Sequence, residues 1–337
     1  MALQQLTQTL LPAIEEELQR VVATCRQPGL EDMYAILAYH MGWQGQGAGP
    51  EARGKRIRPM LVLLTAQAAG GSWQTALPAA AAVELIHNFS LVHDDIQDQS
   101  PLRRGRPTVW TQWGVAQAIN AGDALYTLAF LALRPLPQAI STERTLRACS
   151  VLAETCLLLT QGQYLDLAYE ARGDLHVEAY WPMVSGKTSA LLAACGALGA
   201  LSAQAEEAVI DAYRRFGSLV GIAFQVLDDL LGIWGDAALT GKSAESDLLS
   251  GKKSLPVLYG LARNGPFAER WKQGGVTATE VSALAAQLEA EGGRAFTQDW
   301  ARRYTGQALQ ALEEAQPQGE AGAALRELAD LLLKRQA

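Results

Sequence analysis

Helical periodicity is the feature that most restricts how this chain can fold. Apolar residues recur at intervals of three and four over long segments, and almost no segment alternates with the period of two that half-buried strands show. Ala, Leu, Gln and Glu are frequent in these segments, while β-branched residues are sparse. The pattern predicts helices at residues 3–25, 30–42, 55–69, 75–98, 115–133, 142–170, 176–202, 204–235, 252–263, 278–291, 294–315 and 320–335.

Breaks between these helices fall where Gly and Pro cluster. The most prominent are Trp43–Gly54, Gln99–Pro107 and Gly235–Gly251. The last two are long loops without periodicity, and such loops inside a compact domain commonly carry function. Neither an internal repeat nor a composition shift marks a second domain, so the sequence predicts a single all-α domain over residues 1–337.

Composition and charge limit the classes of function. Apolar residues make up 49% of the 337 residues, which is enough for a packed core. The formal net charge is −7, so no basic excess is available to neutralise nucleic-acid phosphates. We therefore expect no nucleic-acid partner.

The sequence also predicts a cytoplasmic protein without a transmembrane segment. The N-terminal segment lacks a basic region and has Glu within its apolar pattern, so it predicts an amphipathic helix and not a signal peptide. The longest strongly apolar stretch, Ala124–Leu133, has ten residues, too few to span a bilayer. Four cysteines without CxxC spacing favour free thiols in a reducing compartment over disulfides or a zinc site.

Two Asp-Asp pairs end long apolar helices. The chain has 14 Asp but only two such dipeptides, at 94–95 and 228–229. Asp98 follows Asp94 by one helical turn, so their carboxylates share a face about 6 Å apart along the axis. Like charges beside apolar residues need positive compensation. Oxygen ligands with room for water and phosphate suit Mg²⁺, and the two pairs would form one diphosphate site if their helices face each other. A solvated helix face is the alternative for either pair alone.

Basic residues cluster near the breaks. They are Lys55, Arg56 and Arg58 in GKRIRP, Arg103, Arg104 and Arg106 in PLRRGRP, Lys187 beside Thr188 in GKT, and Lys242, Lys252 and Lys253 after the second acidic pair. Each group alone is typical of a solvated surface patch, but their positions beyond the carboxylates favour phosphate binding. Arg recognises phosphate in a planar, bidentate way, and Lys adds a compact charge. The P-loop pattern GxxxxGK[ST] is absent.

These motifs together resemble a known family, the trans-isoprenyl diphosphate synthases or polyprenyl synthetases. The matching segments run from GKRIRP to GKKSLP and include IHNFSLVHDDIQDQSPLRRGRPTVW, NAGDAL, GQYLDL, GKTSAL and FQVLDDLLGIWGD. The resemblance implies an all-α bundle of roughly ten to twelve helices around a deep central cavity. It also implies Mg²⁺-dependent condensation of isopentenyl diphosphate with an allylic diphosphate, namely dimethylallyl, geranyl or farnesyl diphosphate.

The resemblance assigns a role to each candidate residue. The implied ligands of Mg²⁺, about three ions per active site, are Asp94, Asp95, Asp98, Asp228 and Asp229. Isopentenyl diphosphate would be held by Lys55, Arg58, His87 and Arg104. The allylic diphosphate would be held by Arg103, Lys187, Lys242 and Lys252. Thr188 and Gln225 would line the reacting centre, and Gln163 and Asp166 would support it. The alternative for His87 is a histidine of the core whose hydrogen bonds are satisfied there. The alternative for Asp166 is an ordinary helix residue paired with a basic side chain.

One position departs from the family pattern. The second acidic motif commonly has a third Asp four residues after its first, and here that position is Gly232. The first Asp pair carries most of the implied ligation, so the resemblance still implies a synthase; a weaker affinity for Mg²⁺ and a changed third metal position are the two consequences left open.

Product length in this family depends on the side chains just before the first acidic motif, here Phe89 and Ser90. One aromatic residue followed by a small one implies geranylgeranyl diphosphate (C20), with C15 and C25 or longer products as alternatives. On an ideal helical wheel Ser90 lies about 40° and Phe89 about 140° from Asp94. Geometry therefore leaves open whether Phe89 ends the product pocket or is ordinary core.

Two other functions are alternatives to condensation. A class I terpene cyclase would share the first acidic motif but would have no need of GKRIRP or the second Arg. A non-catalytic subunit would be expected to lose acidic motifs, which this chain retains apart from position 232. The resemblance also implies a homodimer, with Val115–Leu133 and Glu143–Leu167 as candidates for its interface or for the core.

Overall fold

The computed structural model describes residues 2–170, 172–235 and 246–333. Within these ranges the structure is all-α, as the sequence predicts, apart from one short hairpin. Its helices are α1 (Ala2–Val22), α2 (Glu31–His40), α3 (Pro50–Arg53), α4 (Ile57–Ala68), α5 (Leu77–Gln97), α6 (Val109–Ala132), α7 (Thr142–Glu170), α8 (Tyr180–Val184), α9 (Ala190–Ser202), α10 (Glu207–Trp234), α11 (Ser246–Leu249), α12 (Leu255–Arg263), α13 (Pro266–Trp271), α14 (Val281–Ala290), α15 (Gly293–Glu314) and α16 (Gly319–Leu333).

Shorter elements fill several connections. The 3₁₀ helices are Ala23–Cys25, Trp73–Ala76, Leu136–Gln138 and Val177–Ala179, and a π-helix spans Ser185–Ser189. The hairpin pairs β1 (Leu102–Arg103) with β2 (Arg106–Pro107) in antiparallel register. It lies in the predicted break after α5, where Gly105 has a φ of 72° that suits a tight turn.

Several predicted boundaries differ from the structure, and a short helix, α13, lies outside every predicted range. The break at Trp43–Gly54 contains α3, which begins with Pro50, a residue whose fixed φ suits the first helical position. Helix α6 begins before residue 115, at Val109, and is kinked at Gly114, where φ is 81°. In the third break residues 246–249 are helical. Residues 236–245, with Lys242, lie outside the described part of the chain, as do residues 334 and 335 of the last predicted helix.

The segment predicted as one helix over residues 176–202 is a succession of different helical types. A 3₁₀ turn leads into α8, the π-helix follows, and α9 completes the segment. A π-helical turn inside an α-helix is common at functional sites because it shifts the side chains of one turn relative to their neighbours. Here that turn carries Lys187 and Thr188.

The chain divides into two compact units. The first consists of Met1–Ala153, Ala194–Tyr213 and Ala315–Leu325, and the second of Glu154–Ala193, Arg214–Glu314 and Arg326–Ala337. A single domain over residues 1–337 stays a prediction.

Helix α5 is central to the first unit. It packs mainly on α6 and also on α4 and α1. Its first turns are rich in Ala, and Ala79–Ala82 are almost fully buried, because small side chains allow neighbouring helices to approach closely. Leu18 of α1 and Leu64 of α4 are fully buried in the same unit. This packing fixes the direction of α5, whose last turns carry the first acidic motif.

The second unit has a core built by the end of α10 and the helices after it. Its members are Ile233, Leu248, Val257, Phe267, Trp271, Val281, Leu284, Ala285 and Leu288. Aromatic contacts also tie α8 to α15, with the ring centroids of Trp181 and Trp300 4.7 Å apart. The second acidic motif on α10 and the π-helix after α8 are therefore both attached to packed helices.

Two expectations about thiols and membranes can be compared with the structure. Cys25, Cys149, Cys156 and Cys195 are all free thiols, as predicted. Within the described ranges, three helical segments could cross a membrane by length and composition alone: Trp73–Gln97, Val177–Ser202 and Glu207–Trp234. Their most apolar windows are 61%, 78% and 56% buried inside the protein. The absence of a transmembrane segment therefore stays a prediction.

Replacing two glycines by alanine, each in the middle of a helix of the second unit, should change stability in opposite directions. A Cβ at Gly217 in α10 would lie 2.1 Å from the carbonyl oxygen of Leu192, whereas a Cβ at Gly306 in α15 would meet no atom within 4 Å. We expect Gly217→Ala to lower the free energy of unfolding by about 1–3 kcal/mol through overpacking. Gly306→Ala should raise it by about 0.5–1 kcal/mol through helix propensity.

Urea denaturation followed by circular dichroism measures both variants. If Gly217→Ala were as stable as Gly306→Ala, the close approach of α9 and α10 would be wrong.

Candidate active site

The three carboxylates of the first acidic motif differ in how deeply they are buried. Asp95 is 2% exposed, Asp94 is half-buried and Asp98 is exposed. Asp98 follows the last residue of α5, and its backbone N–H donates to the carbonyl oxygen of Asp94 at 2.8 Å. The motif therefore ends its helix with one carboxylate inside the unit and two nearer the solvent.

Arg103 of β1 is the cation that compensates Asp95. Its Nε donates to both carboxylate oxygens of Asp95, at 2.8 and 3.0 Å, and its Nη2 lies 2.7 Å from Oδ1. Burial raises the pKa of Asp95, and the Arg103 guanidinium offsets part of that rise. Because Arg103 occupies both oxygens of Asp95, the geometry favours Asp94 and Asp98 as the metal ligands of this motif.

His87 and Arg58 contact each other beside this motif. Arg58 Nη1 donates to His87 Nε2 at 3.2 Å, and since a guanidinium can only donate, His87 accepts at Nε2 and carries its proton on Nδ1. Burial, followed by the charges of Arg58 and Arg104, holds the pKa of His87 well below its usual value. His87 is therefore a neutral group among arginines and is placed to donate a hydrogen bond to an anion.

Arg104 reaches the loop that carries Lys55. Its Nη1 donates to the carbonyl oxygen of Ala52 at 2.8 Å. A Cβ at Gly54 would lie 2.6 Å from the Cζ of Arg104, and Gly54 has a φ of 76°. Only glycine suits this position, because the guanidinium lies directly over it. Lys55 is the next residue and is exposed. All four residues predicted to bind isopentenyl diphosphate thus lie in the first unit.

Arg56 and Arg106, which the sequence groups with the phosphate-binding candidates, are buried and used within the protein. Arg56 donates to Glu15 at 2.7 Å and to Glu84 at 2.8 Å. Arg106 donates to one backbone carbonyl at the end of α2 and to two in the segment between α2 and α3, at 2.8 to 2.9 Å. Arg56 fixes the backbone between Lys55 and the start of α4, which carries Arg58, and Arg106 fixes the hairpin that carries Arg104.

The second acidic motif organises a hydrogen-bonded chain in the second unit. Thr188 Oγ1 donates to Gln225 Oε1 at 2.9 Å, and Gln225 Nε2 donates to Asp229 Oδ1 at 2.9 Å. The other oxygen of Asp229 accepts from the backbone N–H of Leu255 at 3.0 Å. Asp229 is 1% exposed, whereas Asp228 is half-buried. As in the first motif, the second Asp of the pair is used inside the protein.

Lys252 lies between two carboxylates of the second unit. Its Nζ is 3.7 Å from Asp229 Oδ1 and 4.0 Å from Asp247 Oδ2. Burial lowers the pKa of Lys252, but Asp229, Asp247 and Asp228 raise it by more, so the ammonium stays charged.

Lys187 is held by the motif GQYLDL. It forms an ion pair with Asp166, which matches the sequence alternative of an Asp paired with a base. A Cβ at Gly162 would lie 2.1 Å from the backbone nitrogen of Lys187, so α7 and the π-helix touch at this point. Gln163 is buried beside them. Lys242 cannot be compared, since it lies outside the described residues.

Among the described residues, no group of three or more His, Cys, Asp and Glu side chains could hold a metal ion by itself. Mg²⁺ commonly binds one or two carboxylates and takes its other ligands from water and substrate phosphates. Asp94 and Asp98 on one helix face, and the half-buried Asp228, fit that mode of binding.

Phe89 and Ser90 point to different neighbours. Ser90 is buried and donates to the carbonyl oxygen of His87 at 2.8 Å. Phe89 packs edge-on against Tyr126 of α6, with ring centroids 5.3 Å apart, and Tyr126 in turn packs on Phe130. An aromatic group that spans α5 and α6 therefore lies one to two turns before Asp94.

Comparisons with known proteins agree with this arrangement. The chain is 38% identical to the (2E,6E)-farnesyl diphosphate synthase of Mycobacterium tuberculosis, over 98% of this chain and 95% of that protein. It is 39% identical to the geranylgeranyl diphosphate synthase of the same organism, over 88% and 85% of the two chains. The solved geranylgeranyl pyrophosphate synthetase of Pyrococcus horikoshii superposes with a TM-score of 0.88 at 32% identity, covering 99% and 98%. The polyprenyl synthetase family model matches residues 49–285.

The chain belongs to the polyprenyl synthetase family. It is accordingly a trans-prenyltransferase, and its relatives support short-chain trans-prenyl diphosphate synthesis.

Sequence reasoning missed several residues that shape the site of this polyprenyl synthetase. Glu84, which pairs with Arg56, lies inside an apolar helix, where a lone carboxylate signals the need for a cation but not which one. Tyr126 lies on α6, and its contact with Phe89 has no local signal. Asp247 lies shortly before GKKSLP and is outside both Asp-Asp pairs, and only the structure places its carboxylate beside Lys252 and Gly232.

The burial of His40 predicts a pH-dependent stability for this polyprenyl synthetase. Its Nε2 is buried without a hydrogen-bond partner among the described residues. Burial and then the charges of Arg103, Arg104 and Arg56 lower its pKa to about 3. Below pH 6.5 the unfolded chain therefore binds a proton at this histidine that the folded protein excludes, and stability falls as the pH falls.

Between pH 7.5 and 5.5 we expect the wild type to lose about 1 kcal/mol more unfolding free energy than His40→Gln. Urea denaturation at both pH values measures the difference, with His176→Gln as the control at an exposed histidine. Identical pH dependence in the wild type and His40→Gln would contradict the burial of a neutral His40.

Proposed function

We propose that this chain condenses isopentenyl diphosphate head to tail with an allylic diphosphate and that its main product is geranylgeranyl diphosphate (C20). The observation that carries the proposal is the different surroundings of the three carboxylates in the first acidic motif. Arg103 neutralises the buried Asp95, while Asp94 and Asp98 lie nearer the solvent, beside a cluster of arginines. A carboxylate pair next to cations is suited to binding a diphosphate together with a divalent ion.

Binding of isopentenyl diphosphate is assigned to Lys55, Arg58, His87 and Arg104. Their contacts support this role, since Arg58 touches His87 and Arg104 lies over the glycine that precedes Lys55. The neutral His87 adds a hydrogen bond without adding a charge that its arginine neighbours would repel.

Binding of the allylic diphosphate is assigned to Arg103, Lys187 and Lys252, together with Lys242. Each of the three described cations is already held by a carboxylate, namely Asp95, Asp166 and Asp229. Cations held in position before the substrate binds need little reorganisation in the transition state. Thr188 and Gln225 are hydrogen-bonded to each other and would line the reacting centre.

Mg²⁺ is the implied cofactor, with about three ions per site, held by Asp94, Asp98 and Asp228 and supported by Asp95 and Asp229. When bound, it stabilises the negative charge of the departing diphosphate. The allylic C–O bond breaks with its electron pair on the diphosphate, the double bond of isopentenyl diphosphate attacks the allylic carbon, and a proton passes to the released diphosphate. Arg103, Lys187 and Lys252 hold the diphosphate through this change, and apolar surroundings exclude the water that would capture the cation.

The C20 product rests on Phe89 followed by the small Ser90. Identity to a farnesyl and to a geranylgeranyl diphosphate synthase is nearly equal, at 38% and 39%. Farnesyl diphosphate (C15) is therefore the second candidate product, and longer products are the third. The packing of Phe89 on Tyr126 favours a defined end to the product pocket, because an aromatic side chain held on two sides resists displacement by a growing chain.

A homodimer and a cytoplasmic location are part of the same proposal. Large apolar side chains are exposed along α6, including Val115 and Ile119, and along α7, including Leu146 and Leu157. Exposed apolar patches of this kind mark interaction surfaces, and a second copy of the chain is the implied partner. Free thiols at all four cysteines agree with a reducing compartment.

The activity can be tested with labelled isopentenyl diphosphate and each allylic primer, with Mg²⁺ and with EDTA. We expect condensation only with Mg²⁺, and a loss on the order of 10²–10³-fold in kcat/KM for Asp94→Asn. Asp299→Asn, at an exposed carboxylate, is the control. Full activity in EDTA, or no incorporation of isopentenyl diphosphate with any primer, would overturn the proposed function.

Product length can be tested with Phe89→Ala. Removing the ring opens the helix face toward Tyr126, so we expect a shift from C20 toward C25 and longer products, read by chromatography of the dephosphorylated prenols. Phe296→Ala, at a ring stacked on Tyr259 in the second unit, is the aromatic control. An unchanged product from Phe89→Ala would remove Phe89 from this role.

A further inference from the structure

Gly232 leaves a space that another part of the chain fills. It stands where the second acidic motif lacks a third Asp. A Cβ built at Gly232 would lie 2.5 Å from Oδ2, 2.6 Å from Cγ and 2.9 Å from Oδ1 of Asp247. The carboxyl group of Asp247 therefore packs flat against Gly232, and a side chain at position 232 would have to displace it.

The position of Asp247 is set by packing on both sides of it. Leu248 is fully buried and belongs to the same core cluster as Ile233, the residue after Gly232. On the other side, the backbone N–H of Lys252 donates to the carbonyl oxygen of Asp247 at 3.0 Å. The Asp247 side chain is only 14% exposed. Helix α11 thus holds this carboxylate against α10.

Lys252 is the functional group next to Asp247. Its ammonium lies 4.0 Å from Asp247 Oδ2 and 3.7 Å from Asp229 Oδ1, and its side chain is 37% exposed. Two carboxylates on different elements therefore restrict a long, flexible side chain whose end still reaches solvent. A lysine confined in this way loses less rotamer freedom when it binds an anion.

We propose that Asp247 is a positioning residue, which supplies from α11 the carboxylate that position 232 lacks and holds Lys252 where it binds diphosphate. The inference rests on the proposed function, because it takes a diphosphate as the ligand of Lys252. It explains why glycine at position 232 does not leave the motif short of a negative charge. It also makes the residues at 232 and 247 interdependent.

Three variants test this interdependence: Asp247→Asn, Gly232→Asp, and the double variant Gly232→Asp/Asp247→Ala, which returns a carboxylate to α10. Calorimetry with inorganic diphosphate and Mg²⁺ gives a dissociation constant that does not depend on turnover, and kinetics with geranyl diphosphate give KM and kcat. We expect Asp247→Asn to raise both the dissociation constant and KM about 10-fold, with a smaller effect on kcat. The double variant should return both to within about threefold of the wild type, because the two positions are coupled.

Asp299→Asn is the control for loss of a carboxylate elsewhere in the second unit, and circular dichroism checks that each variant is folded. A dissociation constant for Asp247→Asn within twofold of the wild type would overturn the inference. A folded double variant that binds no better than Gly232→Asp would overturn it as well. If the double variant does not fold, Asp247→Asn decides alone, since Asn has the size of Asp.

The calorimetric result separates this inference from the proposed function. If the wild-type protein binds diphosphate but condenses no substrates, the proposed function is wrong. The role of Asp247 is then decided by the dissociation constants of the variants alone. Wild-type condensation together with unchanged binding by Asp247→Asn would remove only the inference.

Discussion

Buried carboxylates in need of cations or N–H donors are the constraint on which both acidic motifs depend. Asp95 and Asp229 are 2% and 1% exposed, and leaving either charge without a partner at that depth would be destabilising by several kcal/mol. Arg103 satisfies the first carboxylate, and Gln225, Leu255 N–H and Lys252 surround the second. Each set of partners attaches a loop to a helix. The hairpin is bonded to α5 through Arg103, and the segment around the start of α12 is bonded to α10 through Lys252 and the Leu255 N–H. The loops that carry the phosphate-binding candidates are thereby fixed beside the carboxylates.

The same logic extends to the residues behind the site. Arg56 lies between Glu15 and Glu84 and joins α1 and α5 to the start of α4. Lys55 and Arg58 lie on either side of Arg56 in the sequence, so this buried network fixes the backbone from which two of the proposed substrate-binding side chains extend. Close approaches of glycine act in a complementary way, since Gly54 admits Arg104 and Gly162 admits the backbone of Lys187. Charge pairing and close backbone packing together position side chains that have long, flexible stems.

The sequence predicts the helices well because helical periodicity is local. It also identifies both acidic pairs and anticipates that a cation must compensate them. It does not distinguish Arg103 and Arg104, the proposed diphosphate-binding residues, from Arg56 and Arg106, which are buried, because all four lie in similar short basic runs. Nor does it separate Asp95 from Asp94, since adjacent residues on a helix differ only in what packs against them. Asp247 and Tyr126 escape it, because the first packs against Gly232 of α10 and the second against Phe89 of α5, each on a different helix.

A crystal structure with Mn²⁺, isopentenyl diphosphate and a non-reactive thio analogue of the allylic diphosphate tests the central claim most directly, since anomalous scattering locates each metal ion. We predict Mn²⁺ on Asp94 and Asp98 and on Asp228, with diphosphate oxygens completing its coordination and Asp95 still paired with Arg103. Diphosphate bound without metal at these aspartates, or Mn²⁺ bound at a different set of side chains, would contradict the claim that the two acidic motifs act as metal-diphosphate sites.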